Sequence, residues 1–244
     1  MKICLRRICF SIFQNCFFYK KKLSIINCIF ADYMKKNFAF LIFLAVFIMA
    51  CGSENGGHRV VLYDTAELRN GDLLFRNGIG YESRVVTGVS HGEYSHVGLA
   101  YHDGTCWRVI HAVPGENEKG KPELLKCEPL SAFYRFDRAQ SGGAARVGCS
   151  DSVANAATLY ALDCVNRNML FDNDYDLNDS SKLYCTELVW LAFLAQDIDI
   201  TDGSRHIMPI INAGAEVIFP DDIWKSSAIT NRLSFETETN ANTN

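Results

Sequence analysis

The stretch YSHVGLAYHDGTCWRVIHA, residues 94–112, decides the fold. Two alternating apolar runs, residues 95–101 and 106–113, flank the dipeptide Asp103-Gly104. Asp-Gly between such runs signals a β-hairpin, because Gly accepts the positive φ of a primed turn. With those two residues as the turn, His102 faces Thr105 and Tyr101 faces Cys106. The same register sets His96 directly opposite His111, with Cβ atoms about 4.5–5.5 Å apart on one face. Val97, Leu99, Ile110 and Ala112 point the other way, into the core. A turn misplaced by one residue is expected to part the two histidines. A solvated pair of surface imidazoles would carry no chemistry. Half of a metal site would need a third ligand, and no HxxxH or HxH motif supplies one.

Outward from the hairpin, helices and short antiparallel strands come in blocks, so the class is α+β. NGDLLFRNG reads as a short apolar strand between Gly-containing turns. YESRVVTGVS has mild helical spacing, and residues 131–138 and 144–149 are expected to form two further strands. SDSVANAATLYALDCVNRN is a helix that Ser150 or Ser152 can cap, with Val153, Ala156, Ala157, Tyr160, Ala161 and Cys164 on one face. An acidic loop, FDNDYDLNDSSK, leads into the strongly apolar helix YCTELVWLAFLAQ.

Cys185 stands at the start of that last helix. Unpaired N–H groups and the helix dipole there favour negative charge and are expected to lower a thiol's pKa. A thiolate is the nucleophile that cysteine chemistry needs, an imidazole can take its proton, and a second polar group can orient the imidazole. His96 as base and His111 as orienter would complete the set, and the helix-start N–H groups could help hold an oxyanion. The plain alternative is that Cys185 is a small apolar core residue. Cys164 is assigned to the core. Cys106, Cys127 and Cys149 are buried thiols or disulfide partners. No CxxC pair points to structural zinc, and no cofactor is indicated.

Charge divides the chain. The first fifty residues carry eight Lys/Arg and one acidic residue, Asp32. Taking these from the whole chain's 24 Lys/Arg and 28 Asp/Glu leaves 16 basic and 27 acidic residues over 51–244, a net charge of −11. So acidic a body argues against a nucleic-acid partner. MKKNFAFLIFLAVFIMAC, from Met34, has a positive start, an apolar run too short to span a membrane, and small Ala50 before Cys51. The expected organisation is 1–33 outside the natural product, 34–50 a signal peptide, 51–58 a cysteine and tether, 59–234 the domain, and 235–244 a disordered tail.

GDLLF, YSHVGLAY, VIHAVPG, FDNDYDL and YCTELVWLAF occur in an order that resembles the permuted NlpC-type, papain-like cysteine hydrolases, in their YiiX/YebB-like branch. The resemblance spans roughly 68–224. It implies a circularly permuted papain-like fold, a small antiparallel sheet packed against helices, with the His strands before the Cys helix. By position, Cys185 matches the nucleophile, His96 the general base, and His111 the orienting residue, a place where this branch often has Glu. Asp72 matches a strand-entry residue. Glu187 matches a family Glu in the first helical turn, and Tyr94 and Tyr184 flank the key residues as candidates for shaping the cleft. IMAC resembles a lipoprotein lipobox, which implies lipid on Cys51, export and membrane anchoring. The implied function is a lipid-anchored cysteine hydrolase cleaving an amide, with a peptide of the cell wall as substrate. The alternatives are an acyltransferase or lipid (thio)esterase of the lecithin:retinol acyltransferase type, which a deep apolar groove would favour, and a non-catalytic binding lipoprotein.

Overall fold

The computed structural model describes residues 58–207 and 216–240. The expectations for 1–33, the signal peptide 34–50 and lipidated Cys51 lie outside the described residues. The strands are β1 (His58–Leu62), β2 (Leu73–Gly78), β3 (His96–His102), β4 (Trp107–His111), β5 (Lys126–Pro129), β6 (Ala139–Val147), β7 (Leu170–Phe171), β8 (Lys182–Leu183), β9 (His206–Ile207), β10 (Glu216–Val217) and β11 (Ile229–Asn240). The helices are α1 (Tyr81–Ser90), α2 (Leu130–Phe133), α3 (Asp151–Asn166), α4 (Cys185–Leu194) and α5 (Pro220–Lys225). Seven strands build one antiparallel sheet in the order β1-β11-β6-β2-β3-β4-β5. The α+β class and the small antiparallel sheet packed against helices stand as expected.

Both faces of the sheet centre are covered, which is why β2 reads as a run of consecutive apolar residues rather than an alternation. Leu73 and Phe75 join Val97, Leu99, Ile110 and Ala112 under α3 and α4, among Ala157, Ala161, Leu188, Val189 and Phe193. Leu74, Ala100 and Val109 turn to the other face and pack with Phe133 and Tyr134. The start of α3 is capped as the sequence indicates, with Val153 N–H donating to Ser150 Oγ. Asp72 is buried where β2 begins and accepts from Arg146 at 2.8 and 2.6 Å, a structural strand-entry role.

The hairpin forms, but its turn sits one residue further on. His102 pairs with Trp107, Tyr101 with Arg108, Ala100 with Val109 and Leu99 with Ile110. Asp103 N–H donates to Cys106 O at 3.2 Å, so Gly104 and Thr105 are the central turn residues, and Gly104 takes the positive φ of 92°. The cause is the Asp103 side chain, which accepts the N–H groups of Thr105 and Cys106 at 2.8 and 2.9 Å and pairs with Arg108. It therefore serves best one place before the turn centre. Moving a two-residue turn by one residue moves every pairing by two. A strand repeats every two residues, so both histidines keep their common face, contrary to the expected separation.

Further expectations are corrected. Residues 131–138 are not a strand; Leu130–Phe133 is a short helix followed by turns, and the strand expected over 144–149 begins at Ala139. The expected tail at 235–244 is ordered through Asn240 as part of β11, which pairs with β1 from Leu62↔Glu236 to His58↔Asn240. Thr237 in FETET is β-branched and suits a strand despite its polarity. His58, placed in the tether, opens β1. Cys106, Cys127, Cys149, Cys164 and Cys185 are all free thiols.

Candidate active site

Continuing the β3–β4 register past Leu99↔Ile110 puts Gly98, not His96, opposite His111. The histidines are diagonal neighbours, and they still meet: His96 Nε2 lies 2.9 Å from His111 Nδ1, with the rings edge to face. Both are buried, at 6 % and 0 % exposure, and Phe133 packs against each ring at 5.6 and 5.1 Å.

Behind them stands an ionic layer that the sequence did not announce. His111 Nε2 is 3.2 Å from Glu128 Oε1 on β5. Arg138 donates to both Glu128 oxygens at 2.9 and 3.1 Å and lies 3.0 Å from Glu116. Glu116 also pairs with buried Arg76, whose guanidinium lies 4.6 Å over the Phe133 ring and donates to Phe133 O at 2.7 Å. Burial acts to raise the Glu128 carboxyl, but its hydrogen bond and charge contact with His111, together with Arg138, hold it at about 2. His96 is pushed well below its ordinary value, first by burial and then by Arg76, His111 and Lys126. Burial also lowers His111, against the opposing pull of Glu128. Both imidazoles are therefore neutral at rest.

Cys185 is the first residue of α4 and shares with His96 the wall of a cleft of about 350 Å³. Backbone N–H groups of Val97, Thr186 and Cys185 act to favour its thiolate, yet burial outweighs them and pushes the thiol up to about 11. The expected lowering by the helix start is thus reversed: desolvating a thiolate costs more than these N–H groups return. The cleft wall mixes charged residues, Arg76, Glu82, Glu116, Asp137 and Arg138, with apolar ones, Val86, Val113, Phe171 and Tyr175.

The flanking candidates are placed elsewhere. Tyr94 is wholly buried against Phe75 and Trp224, with its N–H held by Asp221 Oδ1 at 3.1 Å, and does not line the cleft. Tyr184 is equally buried, its hydroxyl accepting Ile218 N–H at 3.0 Å while Thr186 donates to Ile218 O at 2.7 Å. Together these two bonds fix the start of α4. Tyr94 and Tyr184 sit next to His96 and Cys185 in sequence, but both serve packing.

Glu187 is fully buried; Oε2 accepts Tyr184 N–H at 3.4 Å and Oε1 has no partner among the described residues. Burial first, and then the acidic residues Asp172, Asp176 and Asp179, push it up to about 8. Its folded pKa lies above the unfolded value. Its contribution to stability is therefore full below about 4.5, declines as pH rises, and is gone above about 8. Glu187→Gln keeps the shape without the ionisation. It is expected to melt about 5 °C above the parent at pH 8.5, corresponding to about 2 kcal/mol, and to show no gain at pH 5. Calorimetry showing an equal difference at both pH values would refute the assignment.

The chain matches the family described as permuted papain-like amidase, YaeF/YiiX, C92, over residues 67–231. It is similar in fold to the crystal structure of metalloprotein yiiX from Escherichia coli O157:H7, at 18 % identity and a TM-score of 0.56, covering 69 % of this chain and 97 % of that one. No curated protein matches the chain. Among the described residues of this chain, no group of three or more His, Cys, Asp or Glu side chains could hold a metal ion.

Proposed function

Because the chain belongs to the YaeF/YiiX family of permuted papain-like amidases, and so is a cysteine hydrolase acting on amides, we propose that Cys185 is its nucleophile, His96 its general base and His111 the orienter. What supports this is the placement of Cys185 and His96 on one cleft, with His111 hydrogen-bonded behind His96. The His96–His111 bond engages Nε2 and leaves Nδ1 as the nitrogen that serves the thiol. As the sulfur attacks the amide carbonyl, its proton passes to His96 Nδ1, and the N–H groups gathered at the start of α4 offer the developing oxyanion donors. Collapse breaks the C–N bond, the amine leaves with the His96 proton, and water then cleaves the thioester with His96 again as base.

The substrate we propose is the peptide part of the cell wall. The charged residues in the cleft wall, Glu82, Asp137 and Arg138 among them, support a peptide over an acyl chain, since they offer partners to the amides and charges of a peptide and none to a lipid tail. Export and a lipid on Cys51 rest on MKKNFAFLIFLAVFIMAC. Among the described residues no helix is long and apolar enough to cross a membrane.

The test is to digest purified cell-wall stem peptides, and separately an N-acyl amide of a long-chain acid, and to quantify the amines released. Release from the stem peptides by the intact enzyme, absent with Cys185→Ala, is the expected result. Release from the acyl amide alone would overturn the peptide reading.

A further inference from the structure

We propose that Glu128 is a positioning residue that sets the direction of proton transfer through the two histidines, giving a four-member line Cys185–His96–His111–Glu128; this rests on the proposed roles of Cys185 and His96. An ionised carboxylate has no proton to give and can only accept. Both Glu128 oxygens already receive Arg138, and Oε1 faces His111 Nε2 at 3.2 Å. His111 Nε2 must therefore carry the proton. A neutral imidazole has one N–H, so His111 Nδ1 is bare and can only accept. At 2.9 Å it must accept from His96 Nε2. His96 Nδ1 is then bare as well, and a bare nitrogen is what a general base needs. The one group in the line unable to donate thus fixes both tautomers at a distance of two residues.

The same carboxylate answers for charge. The groups facing the histidine pair are Arg76 from β2, Lys126 and Glu128 from β5, and Glu116 and Arg138 from the loops flanking β5 and α2. When His96 takes the thiol proton, it becomes a fourth cation in the company of Arg76, Lys126 and Arg138. Glu116 is committed to both arginines, whereas Glu128 touches His111 directly. Polarisation of His111 by Glu128 therefore stabilises the imidazolium next to it. Removing the charge at 128 leaves one carboxylate, Glu116, against two guanidiniums, the Lys126 ammonium and the new cation.

Glutamine tests the direction, because its amide can donate to His111 Nε2. His111 would then carry its proton on Nδ1 and donate to His96 Nε2, leaving the His96 proton on Nδ1, the nitrogen assigned to the thiol. Such a histidine cannot act as the base. Glu128→Gln is expected to lower kcat about 100-fold with KM within threefold, and Glu128→Asp to recover much of that loss. The readout independent of activity is the long-range ¹H–¹⁵N spectrum of the full chain labelled in histidine. At pH 7 it is expected to show Nε2–H tautomers for His96 and His111 in the parent and Nδ1–H tautomers in Glu128→Gln. A parent spectrum with His111 protonated on Nδ1 would overturn the proposal even if the variant folds poorly, as would a variant with kcat within threefold of the parent. If Cys185→Ala still cleaves amides, the catalytic assignment fails instead, and the tautomers are unaffected by that result.

Discussion

Cys185→Ala is expected to abolish amide hydrolysis, and His96→Ala to lower kcat/KM about 10³-fold or more, with the double variant no worse than Cys185→Ala alone. The non-additivity follows from the chemistry: without a sulfur there is no proton for His96 to take. The size of the His96 effect follows from the thiol. Burial pushes the thiol up to about 11 and holds the His96 imidazole, which lines the same cleft, well below its ordinary value. On the proposed assignment the site therefore rests as a thiol and an imidazole rather than a preformed ion pair, and the base acts during attack rather than before it. Alkylation of Cys185 by iodoacetamide, followed by mass spectrometry, should therefore accelerate steadily from pH 6 to pH 9 and slow in His96→Ala. A rate constant flat between pH 5 and pH 8 would indicate an ion pair already formed and would refute this account. The enzyme's advantage then lies in arranging donors around a charge that appears only in the transition state.

What could be read from the sequence was set by local physics. Alternation around a Gly turn reveals a hairpin and the faces of its residues, so His96 and His111 share a face and Leu99 and Ile110 share the core. An apolar run behind a polar loop reveals α4 and puts Cys185 at its start. The turn centre escaped because it depends on the Asp103 side chain, which bonds Thr105 and Cys106 N–H groups and so prefers the place before Gly104. The thiol's direction escaped because desolvation is a property of the whole packed site. Glu128 and Arg138 escaped for a similar reason. Glu128 reaches His111 only through β5 pairing beside β4, Arg138 joins only by pairing with Glu128 and Glu116, and nothing in KCEPL or RFDRAQ carries a period that announces either. In Gly98 the sequence held an unused signal: glycine inside a strand marks either a bulge or a close approach.

Gly98→Val is expected to cost about 3 kcal/mol of stability and to lower kcat about 100-fold, the second effect exceeding what partial unfolding explains. Gly98 has no unusual backbone; it lies outside the positive-φ set that includes Gly104. What it supplies is space. A Cβ there would lie 2.6 Å from Val109 Cγ1, 2.8 Å from Ile110 O and 2.9 Å from His111 Cβ. Ile110 O belongs to the backbone of the paired strand and cannot turn aside. The strands must separate, and His111 moves with β4 away from His96. Because the histidines meet diagonally across this empty position, and not face to face, the 2.9 Å bond depends on it. Gly104→Ala is the matched control. A Cβ at Gly104 meets nothing within 4 Å, but φ of 92° suits only glycine well. That variant should lose about 1 kcal/mol while keeping kcat within twofold at a temperature where both variants are folded. Melting curves and initial rates on the same samples separate the two effects. If Gly98→Val and Gly104→Ala lose activity only in proportion to stability, the space at Gly98 is not what seats His111 against His96.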